Sequence, residues 1–241
     1  MVERTEVPPR DKATEGIRAY IAEHGLKGGD QLPPERELCQ AIGVSRTTLR
    51  GAVAQLISQN ILESRQGSGT YLCLERPMCY LGKTYNYTEA VRNAGRVPGA
   101  RTVSAGLVEA TLSISEKLDI PEGSPVFVLR RVRTADGEPT CIETSYINRE
   151  LCPGIEDHDF ENASLYGILD AEYGVRVSHT SERINVVAVN EWEAELLGVE
   201  QGTPAFLQRG LEKNDDMVSV EYFRSIILPS RYRLAMSYEV E

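Results

Sequence analysis

The sequence contains no uninterrupted apolar run approaching the roughly 20 residues that a membrane-spanning helix needs. A helical membrane protein is therefore excluded. The N-terminus, MVERTEVPPRDK, is polar and charged and lacks the apolar stretch and small-residue cleavage site of a secretory signal, so a cytoplasmic protein is expected. Cysteine is scarce: Cys39, Cys73, Cys79, Cys141 and Cys152 are an odd number without a CxxC pair. The three histidines, His24, His158 and His179, lie far apart. This pattern supports neither a disulfide framework nor a zinc site, and no metal or other cofactor is expected. No nucleophile is spaced with a base in a recognisable catalytic arrangement, so no catalytic residue is assigned.

What is present is an ordinary globular composition, 41% hydrophobic and 26% charged. The 241 residues allow one large core or two modest ones, and a helix-rich front followed by a strand-rich back favours two. Charge divides the same way. Residues 1–76 hold 10 Lys/Arg and 10 Asp/Glu, so the formal net charge of -10 lies wholly in residues 77–241. An anion-binding face in the front part is compatible with that total, because charges more than about 10 Å away are screened at moderate salt.

In the front part, Ile17, Tyr20 and Ile21 recur at helical spacing, with Gly25 as a stop. A second helix is expected to begin at Leu32-Pro33-Pro34, with a proline suited to its first position, and to end at Gly43. Ser45 then caps a third helix whose apolar stripe is Leu49, Val53, Leu56 and Ile57. Arg46, Thr47 and Arg50 fall outside that stripe. A helix N-terminus with free N–H groups and flanking guanidinium groups suits phosphate and the major-groove edge of guanine. After it, ILESRQGSGTYLCL reads as a strand, a glycine turn and a strand, a wing whose tip is Arg65-Gln66-Gly67.

The run GDQLPPERELCQAIGVSRTTLRGAVAQLISQNILESRQGSGTYL resembles the winged helix-turn-helix of GntR-family bacterial transcription regulators. The resemblance implies DNA contacts from Arg36, Ser45, Arg46, Thr48, Arg50 and Gly67. Thr47 and Gln66 join them as exposed neighbours on the helix and the wing. Pro34 stands where serine is common in that family.

The back part carries an internal echo. SISEKLDIPEGSPVFVLRRVRTADGEP and VNEWEAELLGVEQGTPAFLQRGLEKNDDM share the order helix, Gly-Ser/Thr-Pro, strand, Asp-containing turn, strand. Leu118 matches Leu197, Gly123 matches Gly202, Pro125 matches Pro204 and Phe127 matches Phe206, at a constant offset of 79. Helix starts are expected at Ser113 with Glu116 and at Asn190 with Glu193. Arg131 and Arg133 point to one side of a strand and Arg130 to the other, with Glu143 on the returning strand. Two guanidinium groups on an inner face must meet an anion, either a protein carboxylate or a ligand.

This part resembles the UTRA effector domain of the HutC branch of GntR regulators, a fold shared with chorismate lyase. The expected fold class is thus α+β: a winged helix-turn-helix over residues 1–75, a linker over 76–83, and a chorismate-lyase-like antiparallel-sheet effector-binding and dimerisation domain over 84–241. By the resemblance, Arg131, Arg133, Ser164, Tyr166 and Thr88 surround an anionic group, while Glu143 and Glu221 accept hydrogen bonds from ligand hydroxyls. Tyr87 stands where phenylalanine is more usual. The function implied is a homodimeric repressor whose partners are a double-stranded DNA operator and a small anionic effector, a sugar phosphate or a carboxylate. The alternative is a lyase-like enzyme built on the same fold.

Overall fold

The computed structural model describes residues 9–74, 76–81, 87–161 and 163–236. The chain separates into two compact units, Met1–Glu75 and Arg76–Glu241.

In the first unit, α1 (Pro9–Glu23), α2 (Glu35–Ile42) and α3 (Arg46–Ser58) are followed by a hairpin, β1 (Leu62–Arg65) and β2 (Gly69–Leu72). Ala13, Ile17, Leu38, Leu49, Ala52, Leu56 and Leu62 are buried together, so each helix turns its apolar stripe into one core. Gly43 ends α2 in the left-handed region (φ 74°), where a side chain would be strained. Pro34 is the residue before α2 rather than its first residue: its ψ of 145° is extended, and it offers no side-chain cap. The hairpin is held to the helical part by Leu32 N–H donating to Thr70 O (2.8 Å) and Leu72 N–H donating to Asp30 O (2.8 Å).

The second unit runs β3 (Met78–Tyr80), α4 (Tyr87–Asn93), β4 (Pro98–Glu109), α5 (Leu112–Leu118), β5 (Pro125–Ala135), β6 (Glu138–Asn148), two single 3-10 turns, α6 (Leu165–Tyr173), β7 (His179–Ala188), α7 (Glu191–Leu197), β8 (Pro204–Lys213), β9 (Ser219–Ile227) and β10 (Arg233–Ala235). Six strands form one antiparallel sheet in the order β4-β5-β6-β9-β8-β7. Residues 78–80, inside the stretch read as a linker, form β3 and pair in parallel with β10. Cys79 and Leu234, opposite each other in that pair, pack against the cluster of Tyr87, Val91, Ile227 and Tyr232, which gives the segment an apolar reason to join the unit. Residues 82 and 83 of that expected linker lie outside the described residues.

The internal echo is physical. The order of the sheet places β4, β5 and β6 opposite β7, β8 and β9 about its centre. Ala110 N–H donates to Ser124 O and Gly123 N–H to Ala110 O; at the same offset of 79, Val189 N–H donates to Thr203 O and Gly202 N–H to Val189 O. Asn190 and Glu193 form the reciprocal cap expected of them at the start of α7. Ser113 does not cap α5. Thr111 occupies the cap position without a side-chain bond, and Ser113 lies inside the helix, accepting from Lys117 Nζ at 2.8 Å. The offset that aligns the halves maps Asn190 onto Thr111, which is why the start lies two residues earlier than Ser113.

One sheet face carries α5 and α7: Leu118 packs with Val126, Tyr146 and Tyr222, and Ala194 and Leu197 pack with Val132, Ile142, Leu207 and Ile226. The other face is covered by α6 at one end and by α4 with the Tyr232 segment at the other. Among the described residues, no helix is long and apolar enough to cross a membrane.

Candidate functional site

Two surfaces concentrate chemistry, one in each unit. In the first, Ser45 Oγ accepts from Thr48 N–H (3.2 Å) and lies 2.8 Å from Thr48 Oγ1, so both hydroxyls help cap α3. Arg46 and Thr47 follow immediately and are exposed; Arg36, in the first turn of α2, is exposed as well. Neither Arg36 nor Arg46 forms an ion pair among the described residues. Arg50, also expected to contact DNA, donates through its Nε to both Glu35 oxygens (2.9 and 3.1 Å). Both partners are largely exposed, and such pairs contribute little, so a phosphate can displace the carboxylate. At the wing tip Gln66 and Gly67 are exposed, and Gly67 adopts φ 73° with open space where a side chain would project. Arg65 is folded back over Tyr71, its guanidinium 4.1 Å from the ring centre, and pairs with Glu63 at 2.6 Å.

In the second unit, strand pleat decides which side chains meet. Register places Arg131 opposite Glu143, Glu143 opposite Ser225, and Ser225 opposite Gln208. Arg133 lies opposite Cys141, and Glu212 opposite Glu221. All of these project from one face, where α4 and α6 close over them around a cavity of about 90 Å³. One water needs roughly 10–15 Å³ on this scale, so the space suits a small polar molecule. Thr88, Arg131, Arg133, Glu143, Ser164, Tyr166 and Glu221 all line it. A broader depression, lined in part by α4 and α6, shares Thr88, Ser164 and Tyr166 with the cavity. Arg130 points to the opposite face, where its guanidinium lies 5.2 Å from the Trp192 ring centre.

The cationic end is braced from several directions. Arg131 donates through Nη2 to Glu143 Oε1 (2.7 Å) and through Nη1 to Ala163 O (3.1 Å), just before α6. Arg133 reaches Thr88 Oγ1 (3.2 Å), and its guanidinium lies 4.4 Å from the centre of the Tyr87 ring. Tyr87 is fixed by Thr140 Oγ1 (2.7 Å) and by stacking on Tyr232. Arg131 and Arg133 are 2% and 5% exposed, yet neither Nε–H has a partner among the described residues. Buried donors of that kind are costly unless an anion engages them. Ser164 caps α6 by accepting from Gly167 N–H (3.3 Å), and the free N–H groups of that helix start add positive potential beside the arginines.

The carboxylates respond differently to their surroundings. Burial would raise Glu143, but Arg131 and Arg133 outweigh it and hold the group below the usual carboxylate range. Burial pushes Glu221 up to about 7, opposed by hydrogen bonding that includes the Tyr166 hydroxyl, which donates to Oε2 at 2.6 Å. Glu212 is pushed up to about 8 by burial, opposed by the Thr180 hydroxyl (2.7 Å) and reinforced by Glu221 and Glu182. Glu182 is raised by burial. These raised groups keep protons in the folded state that the unfolded chain gives up near its ordinary value of 4.5. Stability is therefore expected to fall as pH rises from about 5 to about 8 and to level off above that. Urea midpoints across this range check it, and Glu212→Gln should flatten the slope.

Glu182, Gln208, Glu212, Phe223, Ser225, Tyr87 and Tyr232 also line the cavity, although no role was read for them from sequence. The echo held the signal for one of them: the offset of 79 maps Arg133 onto Glu212. Burial pushes Cys79 and Cys141 up to about 12, so these thiols remain protonated at neutral pH and are poor nucleophiles. Among the described residues, no three His, Cys, Asp or Glu side chains converge as a metal site.

Residues 93–233 match the UTRA domain, and residues 9–72 match the bacterial regulatory proteins of the gntR family. The HTH-type transcriptional repressor NagR of Bacillus subtilis is 25% identical over 95% of this chain and 94% of its own length. The probable fructoselysine utilization operon transcriptional repressor of Escherichia coli is 30% identical over 83% of each chain. The crystal structure of PhnF from Mycobacterium smegmatis superposes with a TM-score of 0.74 at 28% identity, covering 94% of this chain and 99% of that one. These relatives are transcription regulators, not enzymes. By both of its units the chain belongs to the gntR family of bacterial regulatory proteins, with a helix-turn-helix unit followed by a UTRA domain.

Proposed function

We propose that this protein is a cytoplasmic repressor that binds a near-palindromic operator as a homodimer and is controlled by a small anionic metabolite, a sugar phosphate or a carboxylate. The observation that carries the reading is the cavity itself. Seven side chains from α4, β5, β6, α6 and β9 surround one small space, and two buried arginines there each retain an unpartnered Nε–H. Guanidinium groups, hydroxyls and a helix start favour an anionic head, while Glu143 and Glu221 favour hydroxyl groups. A relative named for fructoselysine utilization is consistent with a sugar-derived ligand. On the DNA side, the exposed first turn of α3 and the open wing tip offer complementary contacts to bases and phosphates. The effector acts by lowering the population of the operator-competent form, which requires only that it prefer one form over the other.

The test is to select a duplex from a random pool with the full chain, then to titrate sugar phosphates and carboxylates while following DNA binding by fluorescence anisotropy. At least one anion should weaken operator binding by about tenfold or more and raise the unfolding temperature. DNA binding without sequence preference, or indifference to every anion, refutes the proposal.

A further inference from the structure

The cavity is bipolar. Both lining arginines come from β5, at one end of the series β5-β6-β9-β8-β7, and among the described residues no other cation lines the space. Among the described residues, four carboxylates line it, and Arg131 and Arg133 form ion pairs only with Glu143. Glu221 stands on the middle strand β9, where the charge of Arg131 still acts on it, while Glu212 on β8 and Glu182 on β7 occupy the far end. Glu212 and Glu221 are direct cross-strand neighbours, an arrangement that like charges destabilise. The pseudo-symmetry sharpens the contrast, because Arg133 and Glu212 hold equivalent positions in the two halves. Thus one half of the same architecture presents a cation where the other presents an anion.

A second observation points to a ligand. Glu212 is 5% exposed, and its Oε2 has no hydrogen-bond partner among the described residues; Glu182 Oε2 is likewise unpartnered among them. Buried acceptors left in this way are costly. Gly210, opposite Glu182, leaves room for the Phe223 ring between them. A Cβ there would collide with the Phe223 ring, which lies across the glycine and forms part of the cavity lining. The carboxylates do not converge as metal ligands, so a divalent ion is a poor match.

We propose that Glu182, Glu212 and Glu221 form a subsite for a primary ammonium group, so that the effector is a zwitterion whose anionic head lies at Arg131 and Arg133. This rests on the reading of the arginine end as the anion site. Strand spacing of about 4.8 Å puts the β5 and β8 backbones roughly 14 Å apart, and the side chains reaching inward from both shorten the gap to one that a small molecule with its charges at opposite ends can span. The donors of an ammonium group match the two unfilled acceptors, Glu212 Oε2 and Glu182 Oε2, with Glu221 adding negative charge beside them, and hydroxyls lack the charge. Binding of the amine favours ionised Glu212 and Glu221, so it releases protons near neutral pH. The other titratable groups facing them do not contribute there: Glu143 is held low, and Cys79, Cys141, Tyr87, Tyr166 and Tyr232 are all pushed upward.

Titration calorimetry on the full chain tests this with matched probes: ω-aminoalkyl and ω-hydroxyalkyl phosphates of increasing chain length, the corresponding carboxylates, and inorganic phosphate. An aminoalkyl probe of suitable length should bind about tenfold or more tightly than its hydroxyl counterpart. It should also release protons, seen as a heat that depends on the buffer. In Glu212→Gln the amine-to-hydroxyl ratio should fall to about one, and Glu182→Gln should reduce it. Equal binding of both series at every length overturns the ammonium subsite while leaving the anion reading in place. Failure of all probes, phosphate included, overturns both. A preference for amine that persists in both variants overturns the assignment to these carboxylates.

Discussion

Arg131→Ala is expected to abolish the effector's influence on operator binding, while the unliganded variant holds its operator with nearly the parental affinity. The arginine is 2% exposed and links three things at once: Glu143 on β6, the Ala163 carbonyl ahead of α6, and the cavity into which its free Nε–H opens. Truncating one member of a buried, hydrogen-bonded charge pair costs on the order of 2–5 kcal/mol, or roughly 30-fold to several thousandfold in affinity. Anisotropy titrations of labelled operator, with the active anion added, measure both quantities. A variant that still responds at the parental ligand concentration shows that the anion binds elsewhere.

The same substitution leaves Glu143 with Arg133 at 3.7 Å as its remaining ionic partner. An uncompensated buried carboxylate destabilises a fold by several kcal/mol, so a partly unfolded variant would imitate loss of response. Combining Arg131→Ala with Glu143→Gln removes the stranded charge. The double variant should recover a cooperative unfolding transition and remain unresponsive. If it regains the response, Arg131 serves only to hold the sheet together.

How much of this was legible beforehand follows from what each signal encodes. The helix-turn-helix could be read because its determinants are local: Gly43 must adopt a left-handed conformation, Ser45 caps the adjacent turn, and apolar spacing defines each buried stripe. Arg131, Arg133 and Glu143 were legible because the pleat and the Asp136-Gly137 hairpin bring them together within one short stretch. Glu182, Gln208 and Glu212 were not, since their place in the cavity depends on β8 pairing with β9 and β7 joining as an edge strand. That order is a long-range outcome of packing. The pairing of Arg50 with Glu35 was not legible for a similar reason, because Glu35 is fifteen residues away on another helix. Ser113 was misplaced for the opposite reason: a capping pattern was trusted locally although the repeat offset pointed to Thr111.

Arg46→Ala is expected to cost about 1–3 kcal/mol in specific DNA binding, a loss of roughly 5-fold to 150-fold. It follows the Ser45 cap directly, is exposed, and has no ion-pair partner within 4 Å among the described residues, and only the charge of Glu35 acts on it from a distance. Arg50 is the natural control. Its exposed pair with Glu35 must be exchanged for a DNA contact, so Arg50→Ala should cost less than Arg46→Ala. The pattern of loss distinguishes two roles for Arg46. If it reads a base edge, affinity should fall on the selected operator far more than on random duplex, and preference should relax at one position. If it holds a phosphate, all duplexes should weaken together and the dependence of log affinity on log salt should become shallower by about one. Neither the helical core nor the cap depends on this side chain, so circular dichroism and the unfolding midpoint should stay parental. A folded variant with unchanged affinity and unchanged salt dependence would remove the first turn of α3 from the DNA interface, and with it the physical basis for reading this unit as the operator-binding one.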